Sequence, residues 1–229
     1  MKFVAQTDIG KRRHYNEDCY LIDDKIGLFV IADGMGGHNA GDVASQLAVD
    51  VFREWTESFS ITDLCVSEKT TIVDTIDQLV VDANTRIYTK SKISPTHHGM
   101  GTTLIAGICQ DNLISYVHIG DSRIYLIRQG NITQITTDHS HVQEMVHNGI
   151  ITVEEARVHQ NRHIINRAVG LNQTVVADTD QLEILTNDIL LVCTDGLHDM
   201  IASDQEIAEL IISAPDLESA GKSLTDTAL

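Results

Sequence analysis

A chain of 229 residues with 42% hydrophobic and 21% charged residues can bury a sizeable core as one domain, which excludes disorder and collagen-like or coiled-coil fibres. Its 16 Lys and Arg against 33 Asp and Glu leave a net charge of −17, which repels nucleic acid and anionic membrane and argues against a purely nucleic-acid-binding role. The longest apolar runs, Ile26 to Ala32 and Ile189 to Cys193, are too short to span a bilayer, and the N-terminus lacks the apolar stretch of a signal peptide, so no membrane partner and a cytoplasmic location are expected.

Short strand-like runs open the chain at Phe3 to Thr7, Cys19 to Asp23 and Gly27 to Ala32. Two segments of helical periodicity follow. Val43, Leu47, Val51, Trp55 and Phe59 mark the first, and Ile72, Ile76, Leu79, Ala83 and Ile87 mark the second, each a single apolar stripe at three- and four-residue steps. A meander is then expected through Thr102 to Cys109, Leu113 to Ile119, Ser122 to Arg128 and Ile132 to Ile135, with neighbours pairing antiparallel. From Asp138 to Gly170 the sequence turns polar and histidine-rich, with short helical patterns near Val142 to Val146 and Val153 to Val158, and reads as an excursion from the sheet. Strands at Val175 to Leu185 and Asp188 to Cys193 precede helices near Asp204 to Ile212 and Leu217 to Leu229. Strands and helices come in blocks rather than in β-α-β alternation, so the fold class is α+β with helices layered on antiparallel sheets.

Four aspartates stand at predicted strand ends or in tight turns: Asp18 in Asn16-Glu17-Asp18, Asp33 in Ala32-Asp33-Gly34, Asp121 in Gly120-Asp121-Ser122-Arg123 and Asp195 in Thr194-Asp195-Gly196. Any one Asp-Gly pair is ordinary turn chemistry. Four together, two of them directly after buried apolar runs, place rigid carboxylates at a sheet rim where desolvation is costly without a cation. All-oxygen donors select hard divalent ions, Mg²⁺ or Mn²⁺, over zinc. The glycines of Asp33-Gly34-Met35-Gly36-Gly37-His38-Asn39-Ala40-Gly41 permit close backbone approach but do not fit the dinucleotide-binding spacing.

Other chemistries fit less well. Cys19, Cys65, Cys109 and Cys193 show no Cys-x-x-Cys spacing and read as reduced core residues. A cysteine phosphatase loop needs Arg six residues after a Cys, where this chain has Lys25, Thr71, Ser115 and Asp199. His139, His141, His147, His159 and His163 lack accompanying cysteines, which disfavours a zinc site.

Arg13-His14-Tyr15-Asn16-Glu17-Asp18, Ala32-Asp33-Gly34-Met35-Gly36-Gly37-His38, Gly101-Thr102-Thr103, His118-Ile119-Gly120-Asp121-Ser122-Arg123 and Cys193-Thr194-Asp195-Gly196-Leu197 resemble, in order, the successive motifs of bacterial type-2C metal-dependent protein serine/threonine phosphatases. The resemblance covers essentially the whole chain. It implies a single domain over residues 1–229, an α-β-β-α sandwich with two central antiparallel sheets flanked by helices, and a flap at about 138–170 that influences substrate choice. The strand and helix blocks agree with it independently. It also implies two Mn²⁺ or Mg²⁺ ions and a third, weaker one. Asp33 would bridge the pair, the Gly34 carbonyl and Asp18 would serve one ion, Asp195 the other, and Asp121 the third. Arg13 matches the family's phosphate-binding arginine, and His38 is the candidate proton donor to the leaving group. His159, Arg162 and His163 of the flap are candidates to meet a phosphopeptide.

The implied activity is hydrolysis of phosphoserine and phosphothreonine in proteins by a hydroxide bridging the metals, with phosphorylated proteins, substrates of Ser/Thr kinases among them, as partners of a monomer. Relatives close with Gly-Gly-x-Asp-Asn and a final apolar strand, whereas this sequence stops at Asp226-Thr227-Ala228-Leu229. A chain cut before its stop signal is the expected explanation. The alternative reading is a catalytically impaired phosphatase-like domain that binds phosphoproteins or regulates a partner.

Overall fold

The computed structural model describes residues 1–36, 40–58 and 69–229. In chain order these form β1 (Asp18–Asp23), β2 (Leu28–Met35), α1 (Gly41–Ser58), α2 (Lys69–Ile93), a 3₁₀ turn at Pro95–His97, β3 (Gly101–Thr102), β4 (Leu104–Gln110), β5 (Leu113–Ile119), β6 (Arg123–Arg128), β7 (Asn131–Gln134), α3 (His141–His147), α4 (Val153–Arg157), β8 (Asp178–Glu183), β9 (Ile189–Cys193), α5 (Asp195–His198), α6 (Asp204–Ser213) and α7 (Leu217–Ala228). One sheet runs β1-β2-β4-β5-β8 with β3 on β2, and the other runs β7-β6-β9, all pairs antiparallel. His38, Cys65 and Phe59 lie outside the described residues.

The strand pleat sorts the apolar residues into three layers, because alternate side chains face opposite sides of a sheet. Leu28, Val30 and Ala32 of β2 pack with α1 and α2, where Phe52, Ile76 and Ile87 are fully buried. Phe29 and Ile31 point the other way and meet Ile105, Ile114 and Tyr116 together with Ile124, Leu190 and Val192 of the second sheet. On the far side, Tyr125 and Ile127 of β6 and Ile189, Leu191 and Cys193 of β9 pack against Ile207, Ile211 and Leu224 of α6 and α7. Helix, sheet, sheet, helix is therefore the order of layers, as the sequence pattern and the resemblance implied.

Two expectations are corrected. Phe3 to Thr7 is not a strand; its apolar side chains have another cause, since Phe3 packs into the layer between the sheets beside a groove of ≈ 340 Å³ lined by Tyr20, Phe29, Leu190 and Val192. Nor do Leu113 to Ile119 and Ser122 to Arg128 pair as meander neighbours. β5 pairs with β4 and β8, whereas β6 pairs with β7 and β9. The chain changes sheets at Gly120-Asp121-Ser122, and Gly120 makes this possible with φ +108°, a conformation costly for any residue with a Cβ. There is no room for one either, since a Cβ would lie 2.6 Å from Thr103 Cγ2.

The 138–170 excursion is fastened at its start and finish. Arg123 makes a bidentate pair with Asp138, at 2.9 Å from Nε and 2.6 Å from Nη2, and Val169 exchanges backbone hydrogen bonds with Thr102 at 2.9 and 3.0 Å. Its helices are locally capped: Ser140 Oγ accepts from Gln143 N at α3, and Thr152 with Glu155 forms a reciprocal capping box at α4. Gly120→Ala is expected to destabilise the protein by more than about 2 kcal/mol through strain and overpacking at the crossover, read as a lowered urea midpoint beside a smaller drop for Gly130→Ala, where φ is also positive but a Cβ would meet nothing.

Candidate functional site

β2 carries Asp33 to the rim of its sheet, and in the antiparallel register Asp18 of β1 stands directly opposite it. Like charges so placed destabilise a ladder, so the position must be enforced by something other than the carboxylates. The backbone supplies it. Asp33 N–H donates to Thr103 Oγ1 at 3.0 Å, and its carbonyl accepts from Thr103 N at 2.9 Å and Thr102 Oγ1 at 2.9 Å. Gly34 N–H donates to the Glu17 carbonyl at 3.0 Å, and a Cβ on Gly34 would run into the Gly41 carbonyl, so only glycine lets β2 and the start of α1 come together.

The other two aspartates arrive from the second sheet. Asp121 sits in the crossover turn, and Asp195 opens α5 two residues after Cys193, which pairs with Arg123 across β9 and β6. Thr194 Oγ1 donates to Asp18 Oδ2 at 3.2 Å and so links the end of β9 to β1. The electrostatics record the convergence. Burial pushes Asp18 up to about 6, with Asp195 and Glu17 repelling its charge and hydrogen bonds from Thr194 and Asp33 opposing the rise. Burial also drives Asp33 well above the ordinary carboxylate range, followed by repulsion from Asp18, Asp195 and Asp121. Asp121 is raised to about 6 by burial, then by Asp195 and Asp138, with His198 offsetting part of it.

All four aspartates named from the sequence thus share one neighbourhood, as does Gly34. Among the described residues no three His, Cys, Asp or Glu side chains already stand at ion-holding spacing, so closing a donor set requires side-chain rotation or backbone carbonyls. The donors nevertheless suit a hard divalent cation: they are carboxylates, three of them, Asp18, Asp33 and Asp121, with raised proton affinity, and a bound positive charge would relieve their repulsion.

Arg13 lies at the surface beside this rim, its Nη1 2.6 Å from Glu17 Oε2 and its side chain 74% exposed. His38 falls outside the described residues. The flap histidines are dispersed: His139 is buried, while His163 Nδ1 and Arg162 Nε lie 3.5 and 3.6 Å from Asp199 Oδ2, just past α5. Sequence reasoning gave no role to several supports, among them His198, whose buried Nε2 is 3.1 Å from the Asp121 carbonyl, and Ser122, whose hydroxyl is 2.8 Å from Thr103 Oγ1. Their adjacency to Asp121 and Asp195 in sequence was the available signal; their partners come from other elements.

Comparison with known proteins gives a consistent result. The family model described as protein phosphatase 2C matches residues 11–225. The serine/threonine phosphatase stp of Listeria innocua is 37% identical over 212 residues, covering 91% of this chain and 82% of the relative. Among solved structures, serine/threonine phosphatase Stp1 from Staphylococcus aureus superposes with a TM-score of 0.89 at 32% identity, over 97% of this chain and 87% of that one. The catalytic domain of serine threonine protein phosphatase PstP in complex with two manganese ions gives 0.84 at 35% identity, over 98% and 89%.

Asp33→Asn tests the electrostatic account without ligands. A carboxyl whose folded pKa lies above its unfolded value destabilises the fold once ionised. In metal-free protein Asp33→Asn is therefore expected to raise the melting temperature at pH 7.5 by roughly 2–8 °C, on the order of one to two kcal/mol of relieved repulsion, and the gain should shrink as pH falls and the wild-type carboxyl protonates.

Proposed function

Because the chain belongs to the protein phosphatase 2C family, we propose that it hydrolyses phosphoserine and phosphothreonine in phosphorylated proteins, with Mn²⁺ or Mg²⁺ held at the four-aspartate rim. The observation that carries this reading is the convergence of Asp18, Asp33, Asp121 and Asp195 from two different sheets on one desolvated, mutually repelling cluster.

Asp33, facing Asp18, Asp195 and Asp121, would hold ions together with the Gly34 carbonyl and Asp18 on one side and Asp195 on the other, and Asp121 would hold a third. Divalent ions, when bound there, neutralise phosphoryl charge and lower the pKa of an attacking water. A phosphate monoester dianion is intrinsically slow to hydrolyse, and a chain of net charge −17 offers it no general attraction, so local positive charge decides binding. Arg13 supplies part of it. Glu17 holds one edge of the guanidinium at 2.6 Å, which orients the planar fork and leaves its other edge for two phosphoryl oxygens. His38 is assigned the proton that the departing Ser or Thr alkoxide requires.

Substrates of Ser/Thr kinases are the expected phosphoproteins, met by a monomer. Among the described residues no helix is long and apolar enough to cross a membrane, and Cys19, Cys109 and Cys193 are free thiols, which fits a reducing, cytoplasmic site of action.

A phosphothreonine peptide should be hydrolysed in the presence of Mn²⁺, with activity removed by EDTA and restored by excess Mn²⁺. Asp33→Ala should abolish turnover, and Arg13→Ala should lower kcat/KM by about 10- to 100-fold. Tight peptide binding without phosphate release in excess Mn²⁺ would replace the enzyme reading by a phosphoprotein-binding one.

A further inference from the structure

The turn that carries Asp121 is held by a residue from outside its own strands. His139, one residue into the 138–170 excursion, makes a reciprocal pair with Gly120: its backbone N–H donates to the Gly120 carbonyl at 2.8 Å, and Gly120 N–H donates to His139 Nδ1 at 3.1 Å. We propose that His139 is a positioning residue for Asp121, acting through the lone pair on Nδ1 that accepts the Gly120 amide proton.

The surrounding groups fix the tautomer this requires. An amide N–H can only donate, so Nδ1 must be unprotonated and the ring proton must sit on Nε2. Nε2 lies 3.1 Å from Asp178 Oδ2, a carboxylate that accepts that proton and is itself paired with Arg167 from the far end of the excursion. Burial, outweighing the Asp178 contact, lowers the imidazole pKa, so the neutral ring prevails at pH 7. The ring is buried against His118, with centroids 4.6 Å apart, which leaves it little freedom to turn. The His139 carbonyl accepts Asn166 N–H at 2.7 Å, joining both roots of the excursion at this point.

The neighbouring positions of the turn are held separately. His198 takes the Asp121 carbonyl and Thr103 the Ser122 hydroxyl, at 3.1 and 2.8 Å. Gly120 has only His139 for its amide and carbonyl among these contacts, and it cannot be replaced because of its φ and its contact with Thr103. Removing the Nδ1 acceptor leaves a buried N–H unpaired and leaves the residue immediately before Asp121 held by His139 only through its carbonyl. The carboxylate, already repelled by Asp195, then has less to keep it in the cluster. Groups that orient donor residues in this way change ion affinity by about 10- to 100-fold when lost.

The inference rests on Asp121 facing a divalent ion, and the experiment separates the two. In metal-free wild-type protein, imidazole ¹⁵N NMR should report the Nε2–H tautomer for His139, with a scalar coupling between Gly120 ¹⁵N and His139 ¹⁵Nδ1. An Nδ1–H tautomer would overturn the proposal whatever the activity. Calorimetric Mn²⁺ titration should show the weakest binding event reduced by about 10- to 100-fold in His139→Phe and largely recovered in His139→Asn, whose Oδ1 can replace the Nδ1 acceptor. Equal loss in both variants, or wild-type affinity in folded His139→Phe, would refute the positioning role. If His139→Phe does not fold, the wild-type tautomer and coupling still decide. Wild-type protein that binds no Mn²⁺ would instead fail the reading of the aspartate rim.

Discussion

The molecule is organised around keeping carboxylates together where water is scarce. Asp18 and Asp33 face each other across a ladder, and Asp121 and Asp195 close on them from the second sheet. No carboxylate gains from this arrangement by itself. It persists because groups that are not acidic hold three of them: Thr102 and Thr103 on the Asp33 backbone, Thr194 on the Asp18 carboxylate, and His198 and His139 around the Asp121 turn. The apolar layers set the strand ends, the polar supports hold the turns, and the repulsion left over is what a hard cation would relieve.

The crossover at Gly120 links this rim to the rest of the fold. Within a few residues it transfers the chain between sheets, presents Asp121, begins the strand whose Arg123 anchors Asp138, and receives His139 from the excursion. Thr103 touches both sides, since its hydroxyl accepts the Asp33 amide and meets Ser122. A disturbance at either root of the excursion therefore has a short, fully bonded route to two of the carboxylates. Arg162 and His163 add a second route, through Asp199 to the end of α5.

Much of this was legible in the chain itself. The stripes of α1 and α2 were visible as periodicity, because each helix buries one face, and β5 and β9 were visible as short apolar runs bounded by polar residues or glycine. Four aspartates at strand ends or turns, three of them beside a glycine, in motifs ordered like those of the family, pointed to the rim. The partition of strands between sheets was not legible: β5 and β6 are each apolar on both faces, and periodicity says which residues are buried but not against what. The sequence pattern also mistook Phe3 to Thr7 for a strand, since a segment packed between two sheets is apolar for the same reason a strand is.

Composition, spacing and motif order were enough to determine the fold class, the residue types at the rim and the kind of ion they suit, because those properties are local or cumulative along the chain. Which carboxylates repel which, that Glu17 holds Arg13, and that a buried histidine 19 residues downstream supports the Gly120 amide were decided only by tertiary structure. Such contacts depend on distance and orientation in space, and separation along a polypeptide carries neither.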